Sequence, residues 1–138
     1  MATRIRHLNP KTLAKPPGYT QVVEVTGPGR TVYLAGQLGL DLDNKLVGGP
    51  GDFCAQCTKA FENLRDALAS VGATFDDVVK INNYLTDMAH IGLFREVRDA
   101  FLNRQTPPAS TTIATPALAR PGALFEIEAI AVLPPPAS

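Results

Sequence analysis

The sequence predicts an α+β fold in which one β-sheet packs against two helices. Strand-like and helix-like segments follow one another in the order β-β-α-β-α-β-β along 138 residues. The strand segments alternate apolar and polar residues or are rich in β-branched residues, whereas the helical segments repeat apolar residues every three or four positions. This order is typical of a single sheet covered by helices on one face. The length suits a single domain spanning residues 1–138.

The strongest strand signal is the last one, at residues 124–132. Alternation puts Ile127 and Ala129 on one face of this strand and Glu126 and Glu128 on the other. A carboxylate on a half-buried strand is costly unless it is hydrogen-bonded or catalytic. The pattern therefore leaves two interpretations for each glutamate, a functional group or a charge at a solvated strand end.

The first half of the chain is expected to contain an arm, a hairpin and a long helix. Residues 1–18 carry three prolines and are predicted to be irregular. Strands at residues 21–26 and 31–37 flank a Gly-Pro-Gly turn, which favours a hairpin. After a glycine-containing loop, Asp52 is a favourable N-cap for a helix whose apolar stripe reaches Val71.

Two cysteines, Cys54 and Cys57, lie in this helix with C-x-x-C spacing. A zinc site needs about four ligands, and His7 and His90, the only histidines, are far away in sequence. A redox pair is expected just after a strand, at a helix N-terminus, and a Gly-Gly-Pro-Gly segment precedes this one instead. We interpret the two cysteines as small helix residues.

The second half predicts a strand at residues 78–85, a helix from Ile91 to Phe101 or Leu102, and a strand at residues 110–115. A proline-rich tail at residues 134–138 ends the domain. The helices would bury one face of the sheet, and the other face is expected to carry valine, isoleucine and leucine. Burial of that face against copies of the chain predicts a homo-oligomer.

Composition limits the classes of function. Lysine plus arginine and aspartate plus glutamate number 13 each, so no net charge is available to attract nucleic acid. The first 13 residues show no signal peptide, and no apolar run approaches the roughly 18 residues of a membrane span. No membrane association is expected, and a cytoplasmic location is the expectation.

Seven short motifs together resemble one family. They are Gly18-Tyr19, Tyr33-Leu34-Ala35-Gly36-Gln37, Asn63-Leu64 with Val71-Gly72-Ala73, Val78-Val79-Lys80, Tyr84-Leu85-Thr86-Asp87, Pro108-Ala109-Ser110-Thr111-Thr112 and Glu126-Ile127-Glu128-Ala129-Ile130-Ala131. This set is similar to the Rid/YjgF family of reactive-intermediate deaminases, also called L-PSP endoribonucleases or translation-initiation inhibitors. The resemblance covers residues 18–132 and implies a chorismate-mutase-like fold, a homotrimer and small-molecule sites in the clefts between subunits.

The resemblance also implies a reaction and its residues. The best-known members hydrolyse small 2-imino acids to 2-keto acids and ammonia, with no metal and no cofactor. Glu126 matches the glutamate that holds and activates water. Tyr19 matches a pocket tyrosine, although a packing role is an equal alternative, and Thr112 matches a residue whose backbone faces the pocket. Ala35 replaces the usual serine of an S-G-Q motif.

Ser110 stands where the family carries the arginine that binds the substrate carboxylate. A serine offers one neutral hydrogen bond where an arginine offers a charged bidentate pair, a difference of about 1–3 kcal/mol. Arg95 on the second helix, near the position of a pocket asparagine in the deaminases, is the first candidate to replace it, and Arg98 and Arg120 are the others. The alternative for Arg95 is a solvated charge paired with Asp99.

Three functions follow from these observations. The first is a hydrolase of a small imine or enamine in which Glu126 activates water and Ser110 alters specificity. The second is a non-catalytic protein that binds a small ligand or acts as a chaperone. The third, a ribonuclease or translation inhibitor, is disfavoured by the balanced charge and the lack of a basic and aromatic cluster.

Overall fold

The computed structural model of the chain describes residues 2–136, and it confirms an α+β fold with two helices packed on a mixed sheet. The strands are β1 (Arg4–Leu8), β2 (Val22–Thr26), β3 (Arg30–Leu38), β4 (Val78–Leu85), β5 (Ala109–Ala114) and β6 (Phe125–Leu133), and the helices are α1 (Phe53–Ala69) and α2 (Ile91–Phe101). Short 3-10 turns at Phe75–Asp77 and Met88–His90 lead into β4 and α2.

The main sheet has the order β3-β6-β4-β5. The last strand, β6, is antiparallel to both β3 and β4, and β4 is parallel to the edge strand β5. The predicted alternation in β6 is confirmed, because Ile127 and Ala129 are buried while Glu126 and Glu128 are half-buried. The two glutamates therefore lie on the face of the sheet that the helices do not cover.

The N-terminal part of the chain differs from the prediction. Arg4–Leu8, placed in the irregular arm, forms a strand that pairs antiparallel with β2 in a separate two-stranded sheet. The predicted hairpin and single sheet are therefore wrong, because β3 pairs with β6 while β2 pairs with β1. The β1 segment is short and carries charged residues. An ion pair of 2.9 Å between Arg6 and Glu24 supports the pairing of β1 with β2.

An aromatic cluster fills the core between the helices and the sheet. Phe61 of α1 is fully buried and stacks on Phe101 at 5.2 Å and on Phe125 at 5.9 Å between ring centroids. Phe94 of α2 contacts both Phe61 and Phe125, at 6.4 and 5.5 Å. One cluster thus joins α1, α2 and the central strand β6 and fixes the position of α2 over the sheet.

The predicted N-cap of α1 is confirmed, whereas the helix ends at Ala69, before Val71, which is 37% exposed. The Asp52 side chain accepts a hydrogen bond of 3.0 Å from the backbone N–H of Ala55, as an N-cap residue does. Gly72 follows the helix end with φ of +77°, a conformation that glycine adopts without strain. Cys57 is buried in the core, where burial raises the pKa of its thiol, and Cys54 is exposed on the same helix.

The uncovered face of the sheet is more polar than predicted. Besides the two glutamates it carries Lys80, Asn82 and Tyr84 of β4, all half-buried. Apolar side chains are present as well, and Tyr33 is 78% exposed there. The expectation that this face carries valine, isoleucine and leucine is met in part, by residues such as the half-buried Ile130 of β6. Within residues 2–136, no helix has the length and hydropathy of a membrane span.

Candidate functional site

A cleft of about 240 Å³ lies between α2 and the edge strand β5, with the N-terminal arm at its rim. It brings together four residues predicted to bind substrate, namely Tyr19, Arg95, Ser110 and Thr112. Arg98, the second candidate to replace the missing arginine, lines the same cleft. Residues from three parts of the chain thus meet in one place, as the predicted pocket required.

A buried threonine fixes the arm at this cleft. The Thr20 hydroxyl donates a hydrogen bond to the carbonyl oxygen of Pro107, and its backbone N–H donates to the carbonyl of Pro108 at 3.1 Å. Pro107 and Pro108 lead directly into β5. Because Thr20 is tied to that segment, the preceding Gly18 and Tyr19 lie against the cleft.

Arg98 is the more buried of the two cleft arginines, with 8% exposure, whereas Arg95 is exposed. The Arg98 guanidinium carbon lies 5.8 Å from the ring centroid of Phe94, a favourable cation–π contact. Its Nε donates a hydrogen bond of 3.0 Å to Asp99. Asp99 therefore pairs with Arg98, and the alternative pairing with Arg95 is not observed.

Arg120, the third candidate, lies elsewhere. Its Nη2 donates to the carbonyl oxygen of Asn44 at 2.5 Å, which ties it to the loop before α1. It lines a different cavity, formed by the segment before β6. The choice of a cation for this cleft is therefore between Arg95 and Arg98.

Asn83 forms the floor beneath the two hydroxyl groups of β5. It is completely buried, and its Nδ2 lies 3.0 Å from Oγ of Ser110, 3.1 Å from Oγ1 of Thr112 and 3.2 Å from the carbonyl oxygen of Thr111. The carbonyl contact fixes the amide orientation, because a flipped amide would place two acceptors against each other. Asn83 therefore donates toward β5, and its Oδ1 has no hydrogen-bond partner within residues 2–136.

Glu126 and Ala35 do not belong to this cleft in a single protomer. Glu126 lies opposite Tyr84 on the uncovered face, whereas Ser110 bonds to the buried Asn83 on the face that the helices cover. Ala35 falls in an irregular part of β3, where the register with β6 shifts between Leu34 and Gln37. Glu126 and the cleft residues of β5 thus lie on opposite faces of the sheet.

The structure distinguishes the two glutamates of β6. Glu128 accepts hydrogen bonds from Tyr84 Oη at 2.5 Å and from Asn82 Nδ2 at 3.2 Å. The hydrogen bond that Tyr84 donates to Glu128 is the main cause of a raised pKa for the Tyr84 phenol. No group within residues 2–136 hydrogen-bonds to the Glu126 carboxylate. Burial, and then the charge of Glu128, raise the pKa of Glu126 above its ordinary value.

Gly36 provides the space for the Glu126 side chain. A β-carbon added at position 36 would lie 2.6 Å from Oε2 and 2.8 Å from the carboxyl carbon of Glu126. A carboxyl group held against bare backbone, with a raised pKa and no internal partner, can bind water and exchange a proton with it. No cluster of three or more His, Cys, Asp or Glu suited to a metal occurs in the described part of the chain.

The fold and these residues define a Rid-type protein, and comparisons agree. The chain belongs to the family described as Endoribonuclease L-PSP, which matches residues 11–133. It is 37% identical to the 2-iminobutanoate/2-iminopropanoate deaminase of Mus musculus over 118 residues, covering 85% of this chain and 82% of that protein. It is 38% identical to the RutC family protein UK114 of Drosophila melanogaster over 136 residues, covering 96% and 93%.

Solved structures support the same assignment. The crystal structure of YyfB from Yersinia pestis, a protein of unknown function in the conserved Rid family, is 36% identical and superposes with a TM-score of 0.85. The match covers 94% of this chain and 98% of that chain. RidA from the Antarctic bacterium Psychrobacter is 35% identical with a TM-score of 0.69, covering 87% and 92%.

Sequence reasoning missed the floor and the rim of the cleft. Asn83 interrupts an inward row between Ile81 and Leu85, and a polar residue in such a row was an available signal. The hydrogen bond between the Thr20 hydroxyl and Pro107 joins residues 87 positions apart, which no local sequence pattern can indicate. Gly18 was noted only within a family motif, although its lack of a side chain is what admits Arg98.

Proposed function

We propose that this protein is a Rid-type deaminase that hydrolyses the C=N bond of a small imine, or of the enamine in equilibrium with it. The observation that carries this proposal is the Glu126 carboxyl group. It has a raised pKa, a glycine in front of it and, within the part of the chain that the structure describes, no hydrogen-bond partner. The deaminase name of the mouse relative supports the same chemistry.

In the proposed reaction Glu126 acts first as a base and then as an acid. Its carboxylate takes a proton from water while the water oxygen bonds to the carbon of the protonated imine. The resulting carbinolamine carries an amino group, to which the Glu126 carboxyl group returns the proton. The C–N bond then breaks, ammonia leaves, and a C=O bond remains after the hydroxyl proton is lost. A carboxyl group with a raised pKa suits both proton transfers near neutral pH.

The proposed complete site needs two copies of the chain. Glu126 lies on the uncovered face, next to strand β3 that carries Ala35, and the cleft with Tyr19, Ser110 and Thr112 lies on the covered face. One small substrate cannot contact both groups in one protomer. We therefore place the active site at a boundary where the uncovered face of one subunit meets the cleft of another, in the homotrimer that the family resemblance implies.

The alternative is a non-catalytic protein that binds small ligands. The separation of Glu126 from the cleft favours it, because the cleft of one protomer contains no carboxylate to activate water. The two functions differ in what Glu126 does. In the deaminase it is needed for turnover, whereas in a binding protein its loss changes ligand affinity at most.

The test is ammonia release from 2-iminobutanoate generated in the assay by an amino acid oxidase, with wild type, Glu126→Gln and Glu96→Gln compared. Glu96 is an exposed glutamate of α2 and serves as the control. We expect Glu126→Gln to lower the rate by at least about a hundredfold, as for a lost general base, and Glu96→Gln to match wild type. Wild-type turnover that persists in Glu126→Gln would exclude this role, and no turnover in wild type would favour the binding protein.

A further inference from the structure

We infer that Arg98 holds the carboxylate of the ligand in the cleft between α2 and β5 and so takes the part of the arginine that Ser110 lacks. The inference deepens the proposed function by assigning its substrate to the short-chain carboxylates. It rests on that function for the reaction only, because ligand binding can be measured without turnover.

The guanidinium of Arg98 is set up to bind an external anion. Asp99 accepts only from Nε, and within residues 2–136 the Nη1 and Nη2 groups donate to no protein acceptor. Arg98 is 8% exposed, so water solvates this charge poorly. A buried cation with two free NH2 groups gains most from a ligand carboxylate that accepts one N–H from each of them. Arg95 is exposed and adds positive charge at the rim.

Gly18 leaves the space that the guanidinium occupies. A β-carbon at position 18 would lie 2.5 Å from Nη2 and 3.2 Å from Nη1 of Arg98. Gly18 also has φ of +135°, which a residue with a side chain rarely adopts. The backbone of the arm therefore packs against the end of Arg98 and contributes to its burial, and Phe94 lies against the guanidinium from its own helix.

The hydroxyl groups of β5 extend the set of donors. Asn83 Nδ2 approaches the hydroxyl oxygens of Ser110 and Thr112 as a donor. A hydroxyl whose oxygen accepts a hydrogen bond still has its own proton to donate. Ser110 and Thr112 line the cleft, and within residues 2–136 their hydroxyl groups act only as acceptors, so both protons are available to the ligand. Asn83 thus acts as a positioning residue.

The charge and size of the cleft select the ligand. Arg95 and Arg98 line it, and among residues 2–136 no aspartate or glutamate does, although Asp99 next to the cleft pairs with Nε of Arg98. Its volume of about 240 Å³ and the apolar side chains of Ile91 and Phe94 suit a carboxylate with a short hydrocarbon chain. A neutral molecule of the same shape would offer the Nη groups of Arg98 no charged acceptor, and Arg98 would keep only its pairing with Asp99.

The experiment is isothermal titration calorimetry of the full chain with 2-oxobutanoate, its neutral amide 2-oxobutanamide, and inorganic phosphate. Arg98→Met keeps the apolar stem and removes the charge, and Arg98→Lys keeps the charge and removes the paired N–H groups. Arg65→Met is the matched control. Arg65 also lies over a phenylalanine ring, Phe101 at 5.9 Å, and beside an acidic neighbour, Asp66 at 4.0 Å, but outside the cleft.

We expect Arg98→Met to weaken 2-oxobutanoate binding by about tenfold to a hundredfold, the range for a lost charged hydrogen-bond pair. The affinity of Arg98→Lys for 2-oxobutanoate should lie between those of wild type and Arg98→Met, and the affinity of Arg65→Met should equal that of wild type. Wild type should bind the neutral amide as weakly as Arg98→Met binds 2-oxobutanoate. Equal affinity of acid and amide, unchanged affinity in Arg98→Met, binding of phosphate alone, or no binding to wild type would each overturn the inference. Binding as expected without ammonia release would uphold it and refute the deaminase.

Discussion

Gly36 and Glu126 are in contact across β3 and β6, so that a β-carbon at position 36 would lie 2.6 Å from the Glu126 carboxylate. The contact is possible because position 36 has no side chain. This contact distinguishes Glu126 from Glu128, whose carboxylate accepts hydrogen bonds from Tyr84 and Asn82 instead. We regard this contact as the feature that leaves Glu126 free for water.

Gly36→Ala should therefore displace the Glu126 carboxylate. We expect kcat for imine hydrolysis to fall by about tenfold or more, because a shift on the order of 1 Å in a catalytic group has a large effect on rate. Thermal stability should change little, since the clash involves the flexible end of a side chain. Gly49→Ala is the control, because nothing lies within 4 Å of a β-carbon at position 49. Equal kcat values in the two variants would contradict the role of the contact.

The pH dependence of kcat/KM should report the raised pKa of Glu126. Glu126 is the base in the free enzyme, so activity is lost as the pH falls through its pKa. Burial and Glu128 raise that pKa, so the acid limb lies at a higher pH than for an ordinary glutamate. Glu128→Gln removes the contribution of the Glu128 charge to the pKa of Glu126 and should move the acid limb to lower pH. Burial still keeps the pKa of Glu126 above that of an ordinary glutamate.

The control for this pH profile is Glu24→Gln. Glu24 is also a hydrogen-bonded strand glutamate, paired with Arg6 in the small sheet. The Glu24→Gln variant should leave the acid limb of the pH profile unchanged. A limb that stays in place in Glu128→Gln, or moves to higher pH, would show that another group controls the profile.

Phe61 should be a major contributor to stability, because it is fully buried and stacks on Phe101 and Phe125. We expect Phe61→Ala to lower the free energy of unfolding by about 3–5 kcal/mol. Urea denaturation at one fixed protein concentration measures it. Leu42→Ala, at a fully exposed side chain, should change that free energy by less than about 0.5 kcal/mol. Similar losses in both variants would mean that the aromatic cluster does not dominate the core.

The sequence predicted best those parts of the fold that depend on local pattern. The β4 bounds agree with the prediction, and α1 begins after the predicted N-cap Asp52, because capping and periodicity are local properties. Strand partners were predicted worse. The choice of β1 over β3 as the partner of β2 depends on contacts between distant segments, which a turn motif between β2 and β3 does not reveal.

The same limit applies to the site. Arg95 and Arg98 both lie on α2, and periodicity alone could not tell which of them is buried. That difference arises because the arm, about 80 residues earlier in the chain, passes Arg98 at Gly18. The family motifs located Glu126 and the β5 residues, but their separation on two faces of one protomer required the three-dimensional structure.

The most direct test of the account is a rescue experiment on ammonia release from 2-iminobutanoate. Wild type, Arg98→Met and the double variant Arg98→Met/Ser110→Arg are compared by kcat/KM. The account predicts an active wild type, a loss of about tenfold to a hundredfold in Arg98→Met, and recovery in the double variant, where the arginine comes from β5 instead of α2. An Arg98→Met variant as active as wild type, or a double variant with no recovery, would contradict it.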